Sequence, residues 1–310
     1  FPTEEEINNE WNEIELKRLK EKRNTEILMF DFETCRRMGG MVYNTKDGKL
    51  VKYVEDTPAN KELLKKYEES KDYEVDRHRH YPYLCCILSN KKKKGESYIG
   101  ANCAKQLLEN LKGGSKDKFF APKKLLIAHN SGFDYRFLMR HLLDIRQITK
   151  GNGLMNATAY YRKENGLWLK IQIKDSLKLI PMPLKKFGKT FNLKQGKEVM
   201  PYEIYTWANV NKRFLPLKDC VLNLSTVWDK KTFFKNCVKW KCITPTNIVD
   251  IIKYSLEYCK IDCIVLKKGY NTFRKWIKEL CDIDINDVYT IASLAHKYML
   301  KNGCYEGVNQ

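Results

Sequence analysis

Residues 27–34 read Ile-Leu-Met-Phe-Asp-Phe-Glu-Thr, and this octapeptide decides the fold class. Its apolar run and its flanks predict a strand over 27–33. Successive side chains of a strand point to opposite faces. Asp31 and Glu33 therefore share one face, and Phe32 turns the other way into a core. Two carboxylates so close repel unless a cation neutralises them. Hard divalent cations prefer such oxygen ligands. Alone, Asp-x-Glu is a common pattern that usually marks a solvated strand end.

Working outward, residues 41–43 and 50–54 read as a hairpin around Asp47-Gly48. Residues 55–80 read as a highly charged surface insertion. A second hairpin, 83–88 with 97–99, closes through 91–94 and Gly95, and 101–111 reads as a helix. A strand over 125–128 leads through Asn130-Ser131-Gly132 into a helix over 133–143. Residues 158–162 and 167–173 pair over Asn165-Gly166. A short basic helix covers 183–191, a weakly periodic stretch covers 200–245, and a long helical region, with room for an interruption, runs over 248–280. Upstream, residues 3–23 read as an amphipathic helix with Ile7, Trp11 and Ile14 on one face and Thr3 and Glu6 as a capping box. Strands early and helices late predict an α/β fold, with α+β as the alternative, built on one mixed sheet.

Composition narrows the partner. The 310 residues include 57 Lys+Arg against 38 Asp+Glu, a formal charge of +19. Such a cation favours a polyanion, and phosphate backbones are the commonest. Eleven cysteines without an even framework point to free thiols in an intracellular, reducing compartment. The chain has no run of 18 apolar residues, which predicts no membrane span. It begins at Phe1, so a portion of a longer protein is expected.

Two further acidic motifs follow the first. In Asn130-Ser131-Gly132-Phe133-Asp134, the acid falls in the first turn of a helix after a strand, the kind of junction where open sheets bind ligands. An acid there also suits a helix N-terminus for structural reasons alone. In Tyr258-Cys259-Lys260-Ile261-Asp262, Tyr258 and Asp262 lie one helical turn apart on one face. A tyrosine hydroxyl beside a metal-bound water can orient it, although a core tyrosine with an exposed acid has the same spacing. Four acids on three separated elements can converge on a pair of divalent ions, an arrangement that cuts phosphodiesters.

The ordered set resembles the three motifs of the DEDDy 3′–5′ exonucleases: Asp-x-Glu, Asn-x2-3-(Phe/Tyr)-Asp and Tyr-x3-Asp. Tyr258 stands four before the last acid, and Glu257 stands where the related branch has histidine. Asp175-Ser176-Leu177-Lys178-Leu179-Ile180-Pro181 is similar to the Ser/Thr-Leu-x2-hydrophobic motif of family B DNA polymerases. Lys197-Glu198-Val199-Met200-Pro201-Tyr202 resembles the Lys-x2-hydrophobic motif of their protein-primed branch, which serves phages, adenoviruses, linear plasmids and Polinton-like elements. Glu198 replaces the usual glycine. The resemblance spans roughly residues 25–305. Palm motifs are absent from this sequence.

The resemblance implies a ribonuclease H-like exonuclease fold, with a mixed central sheet flanked by helices and β-hairpin insertions. It implies an N-terminal helix or linker over 1–24, an exonuclease domain over 25–282 with an insertion at about 41–120, and the start of a connection toward the polymerase palm over 283–310. Two Mg2+ or Mn2+ ions are the implied cofactors, about 3.5–4 Å apart. Asp31, Glu33 and Asp262 would hold the ion that activates water. Asp31 and Asp134 would serve the one at the leaving 3′ oxygen. Tyr258 would orient the water, and Lys197 would neutralise charge at the scissile phosphate. Thr34, Asn130, Phe133, Ser176 and Leu177 would bind the single-stranded DNA 3′ end. The remaining implied partners are the rest of the polymerase chain and a terminal (priming) protein; the alternatives are a standalone DEDDy nuclease acting on DNA or RNA, and an inactive nucleic-acid-binding or terminal-protein-docking module.

Other signals carry less. Adjacent Cys85-Cys86 with Cys103, His78 and His80 do not supply the paired spacing of structural zinc. Cys259 and Cys263 read as packing residues, His129 as structural, and the lysines at 91–94 as a solvated hairpin tip.

Overall fold

The structure, a computed structural model, describes residues 12, 25–36, 39–77, 80–151, 153–304 and 306–307. Apart from Asn12, the helix read over 3–23 lies outside the described residues, as does His78.

The octapeptide forms the middle of β1 (Glu26–Arg36). The remaining strands are β2 (Gly39–Asn44), β3 (Leu50–Glu55), β4 (Tyr73–Asp76), β5 (His80–Ser89), β6 (Glu96–Ile99), β7 (Lys123–Ala128), β8 (Leu143–Lys150), β9 (Gly153–Arg162), β10 (Trp168–Asp175), β11 (Phe214–Pro216) and β12 (Ile248–Asp250). Seven make one mixed sheet in the order β6-β5-β1-β7-β10-β9-β8. β1, β7 and β10 run parallel. The other pairings in this sheet are antiparallel. The helices are α1 (Lys61–Glu69), α2 (Cys103–Asn110), α3 (Gly132–Met139), α4 (Phe187–Thr190), α5 (Trp207–Lys212), α6 (Leu217–Val221), α7 (Val227–Lys239), α8 (Ile251–Cys281) and α9 (Ile291–Lys301). The expected mixed central sheet flanked by helices is the one observed.

Alternation along β1 sets the two faces. Leu28, Phe30 and Phe32 enter a core with α2 and α3. Met29 and Cys35 enter cores on the opposite face, under α8. Asp31 and Glu33 fall between Met29 and Cys35 on that α8 face. Of the stretch 41–120, β2, β3, β4 and α1 form a separate three-stranded unit with its own small core of Val42, Val54 and Leu64. β5, β6 and α2 instead belong to the central sheet and its main core.

Three local expectations need correction. The helix read over 133–143 ends at Met139, because Leu143–Lys150 gains backbone partners as an edge strand along β9. The basic helix over 183–191 is a 3-10 turn, Leu184–Lys186, followed by the single turn of α4. The long helical region has no interruption. Residues 248–250 pair with β11, and Asp250 then caps α8 by accepting from the Lys253 N–H at 3.0 Å.

α8 packs closely on α4. A Cβ at Gly269 would lie 2.2 Å from Cδ2 of the fully buried Phe187. Alanine in a helix interior usually gains about 1 kcal/mol over glycine. Here overpacking opposes that gain, at about 1–3 kcal/mol. Gly269→Ala is therefore expected to lower the urea midpoint; an unchanged or raised midpoint contradicts this packing.

Lys174, on β10, is buried. Its ammonium donates to the carbonyls of Asn286 and, at 3.0 Å, Val288, and sits 4.9 Å from the Tyr289 ring centroid. This ties the turn after α8 to the sheet. Burial pushes the amine down to about 7 from the ordinary 10.5. The unfolded chain then binds more protons than the folded one between those values, so this group's contribution to stability rises with pH across the window. Urea unfolding from pH 7 to 9 should show that rise in the wild type and lose it in Lys174→Met. An identical pH slope in both would contradict the assignment.

Candidate active site

Pairing between β1 and β7 stops at Met29 and Ile127. Beyond it the strands part. The Phe32 N–H meets Asp134, whose Oδ1 accepts it at 3.0 Å. This bond places the first-turn acid of α3 against the end of β1. Asp262 projects from α8 toward the same strand end, one turn beyond Tyr258. Glu33, Asp134 and Asp262 are buried, and Asp31 is half-buried.

The convergence sets the charges against one another. Burial, then the Asp262 charge, pushes Asp31 up to about 7. Burial, then Asp31 and Asp262, holds Glu33 well above the usual carboxylate range. Burial, then Asp31, does the same to Asp134. Burial also raises Asp262, against the lowering effect of Lys197. All four carboxyls thus resist ionising without added positive charge. Asp262 Oδ1 is buried with no hydrogen-bond partner among the described residues. Carboxylate oxygens of Asp31 and Glu33 and the Cys259 thiol lie within 4.8 Å of one another. Mutually destabilised hard oxygens and an orphaned buried acceptor are what a divalent cation relieves, so the residues fit the implied metal.

Lys197 is the cation the chain itself supplies. Its Nζ is 3.1 Å from Asp262 Oδ2 and 5.5 Å from the Tyr258 ring centroid. Burial works against this ammonium, but Asp262, Tyr202 and Asp31 hold it above the ordinary lysine value. Tyr258 is buried, and its hydroxyl meets that of the half-exposed Tyr202 at 2.9 Å. Burial, then Asp262, raises the Tyr258 hydroxyl far above its ordinary range, so it stays protonated.

The residues expected at the DNA end divide into two groups. Thr34, half-buried, meets His80 Nδ1 at 3.3 Å. The His80 ring packs edge-on against Phe133, which also touches Phe137 and carries the Arg136 guanidinium over its face. Asn130 is exposed, at φ 67°, a conformation asparagine tolerates. Leu177 is half-buried. Ser176 is different: it is fully buried, its hydroxyl donates to the Ala128 carbonyl at 3.0 Å and meets His129 Nδ1 at 2.9 Å. These bonds tie the end of β10 to the strand–helix loop. His129 also meets the Met182 carbonyl, in keeping with its structural reading.

Two residues at the site were not assigned from sequence. Asp175 Oδ1 accepts from the N–H groups of Asn130 and Leu177, both at 2.9 Å, and so joins two motifs. An acid two residues before an N–H at a strand end is an Asx-turn signal that sequence could have offered. Tyr202 sits five residues after Lys197, and only packing reveals its hydroxyl beside that of Tyr258. Glu198, in place of the motif's glycine, accepts from Asn236 of α7 at 2.9 Å. Cys85 and Cys86 fall on opposite faces of β5, which agrees with the absence of a zinc reading there.

The family described as DNA polymerase type B, organellar and viral, matches residues 116–306. A DNA polymerase of Kluyveromyces lactis is 21% identical over 243 residues, 71% of this chain and 23% of that protein. A probable DNA polymerase of Ascobolus immersus is 27% identical over 124 residues, 40% of this chain and 10% of that protein. The chain thus spans less than a quarter of the length of either curated relative. Among solved structures, Phi29 DNA polymerase complexed with single-stranded DNA aligns at TM-score 0.45 and 15% identity, covering 90% of this chain and 35% of that one. The same polymerase with primer-template DNA aligns at 0.46 and 14%, with 90% and 35% covered.

Proposed function

The chain belongs to the organellar and viral type B DNA polymerase family, and from that premise we propose that it is the 3′–5′ exonuclease portion of a protein-primed member. The observation that carries this reading is the convergence of Asp31, Glu33, Asp134 and Asp262 from three elements, with Lys197 and Tyr258 beside them. On this reading, residues 25–282 are the exonuclease domain, 1–24 a linker and 283–310 the start of the connection toward the palm. The eleven cysteines, none in a disulfide, suit an intracellular, reducing replication site.

The substrate is the frayed 3′ end of single-stranded DNA, drawn by the chain's charge of +19. Phe133, on the rim with Thr34 and His80, offers a ring for base contact. Asn130 and Leu177 line the same approach, held in place by Asp175. Asp31, Glu33, Asp134 and Asp262 would hold two Mg2+ or Mn2+ ions. Bound there, the ions would activate the attacking water and stabilise the leaving 3′ oxygen. Tyr258, kept protonated, donates to the water's oxygen and fixes its line of approach. Lys197 opposes the effect of burial on Asp262 and adds positive charge where the phosphate becomes more negative. A terminal protein and the remainder of the polymerase are the further partners.

The test is a 5′-labelled strand, alone and annealed as a primer on a longer template, incubated with this 310-residue chain, with deoxynucleotides present and Mg2+ supplied or chelated. The expected result is stepwise shortening only with Mg2+, and no primer extension. Binding without shortening in Mg2+ or Mn2+ would favour a silent DNA-binding module, and primer extension would overturn the assignment to an exonuclease portion.

A further inference from the structure

The site contains one donor that the carboxylate motifs do not include. Cys259 follows Tyr258 and lies three residues before Asp262, so both face β1 from one side of α8. It is fully buried, and its thiol donates to the Asp31 carbonyl at 3.5 Å. Its sulfur lies within 4.8 Å of carboxylate oxygens of both Asp31 and Glu33, a mixed set of two hard donors and one soft donor.

We propose that Cys259 makes this site a binding site for thiophilic divalent ions of the zinc and cadmium class. The inference deepens the exonuclease reading and rests on it for the identity of the carboxylate ligands. Mg2+ takes oxygen ligands and leaves a thiol protonated. Zn2+ and Cd2+ prefer thiolate. When such an ion enters, the Cys259 S–H bond breaks, a sulfur–metal bond forms, and the proton passes to water. The ion then holds Asp31, Glu33 and Cys259 together, and competes with Mg2+ for the two carboxylates. The neighbouring thiols, Cys86 and Cys263, are buried against the same helix face, with the Cys263 thiol donating to the Cys86 carbonyl at 3.7 Å. They are the controls for sulfur identity.

The experiment uses the full chain with Cys281→Ser and Cys304→Ser, which remove the two cysteines that are not buried. Cd2+ is added to one equivalent, and the ultraviolet sulfur-to-cadmium charge-transfer absorption is read. The band is expected in this background, lost on adding Cys259→Ser or Asp31→Asn/Glu33→Gln, and retained with Cys86→Ser or Cys263→Ser. A 113Cd resonance shifted away from the all-oxygen range provides a second reading on the unmutated chain. No band, or a band that survives Cys259→Ser, overturns the proposal. Mg2+-dependent digestion is measured separately: digestion without the band removes the thiol from the site, while the band without digestion removes the exonuclease reading.

Discussion

Asp31→Ala/Glu33→Ala is expected to abolish Mg2+-dependent digestion of single-stranded DNA while making the metal-free chain more stable. The two effects share one cause. Both carboxyls sit in a site where burial and their neighbours' charge raise them above the ordinary range. On the proposed reading, removing them deletes two ligands, and a metal ion supplies several kcal/mol of transition-state stabilisation. At about 1.4 kcal/mol per decade, the rate should fall by roughly 10³-fold or more. In chelator the same change removes repulsion and desolvation that folding otherwise opposes, a gain on the order of 1 kcal/mol. The pH dependence follows in sign. A carboxyl raised in the folded state makes the folded chain bind more protons between the two values, so stability falls as pH rises through that window. For Asp31 the window is about 4 to 7. Thermal unfolding in chelator should therefore fall across pH 4–7 in the wild type and be flatter in the double variant. A variant that loses activity and also loses stability would indicate that these acids serve the fold instead.

Lys197→Met is the second large effect expected. Methionine keeps most of the stem and removes the charge. Asp262 then loses the ion pair that opposes burial, and its carboxyl moves further up. A protonated Asp262 is a poor metal ligand, and on the proposed reading the scissile phosphate loses a cation. Removing one preorganised electrostatic group commonly costs about 10²–10³ in rate, and a similar fall is expected here. Because part of the loss is protonation of Asp262, activity should recover partly at higher pH and higher Mg2+, which a simple folding defect would not do. Digestion rates equal to wild type at pH 7 would remove Lys197 from the site.

The octapeptide at 27–34 was legible because strand alternation alone puts Asp31 and Glu33 on one face and Phe32 on the other. The hairpins at Asp47-Gly48 and Asn165-Gly166 were legible through their turn residues. β8 was hidden because its residues are largely exposed and gain order only from pairing along β9. The place of β5 and β6 in the main sheet was hidden because pairing β1 with β5 joins residues some fifty positions apart, which no local pattern encodes. At the site, the ordered spacing of the acidic motifs singled out the four acids and the resemblance singled out Lys197; the fold brings their charged groups together. The burial of Ser176 was not legible because spacing does not reveal burial, and the Tyr202–Tyr258 contact is purely tertiary. Cys259 was read as packing, which it is, but a helix face shared with Asp262 also brings its sulfur beside two carboxylates.

The central claim is that these four carboxylates serve hydrolysis at a 3′ end. Its most direct test is a single DNA strand with distinct labels on its two terminal nucleotides, followed in Mg2+ with the wild type and Asp31→Ala/Glu33→Ala side by side. The account predicts that the 3′-terminal label leaves first, as a mononucleotide, with the wild type alone. Release from the 5′ end, internal cleavage, no release at any protein concentration, or equal release by the double variant would contradict it.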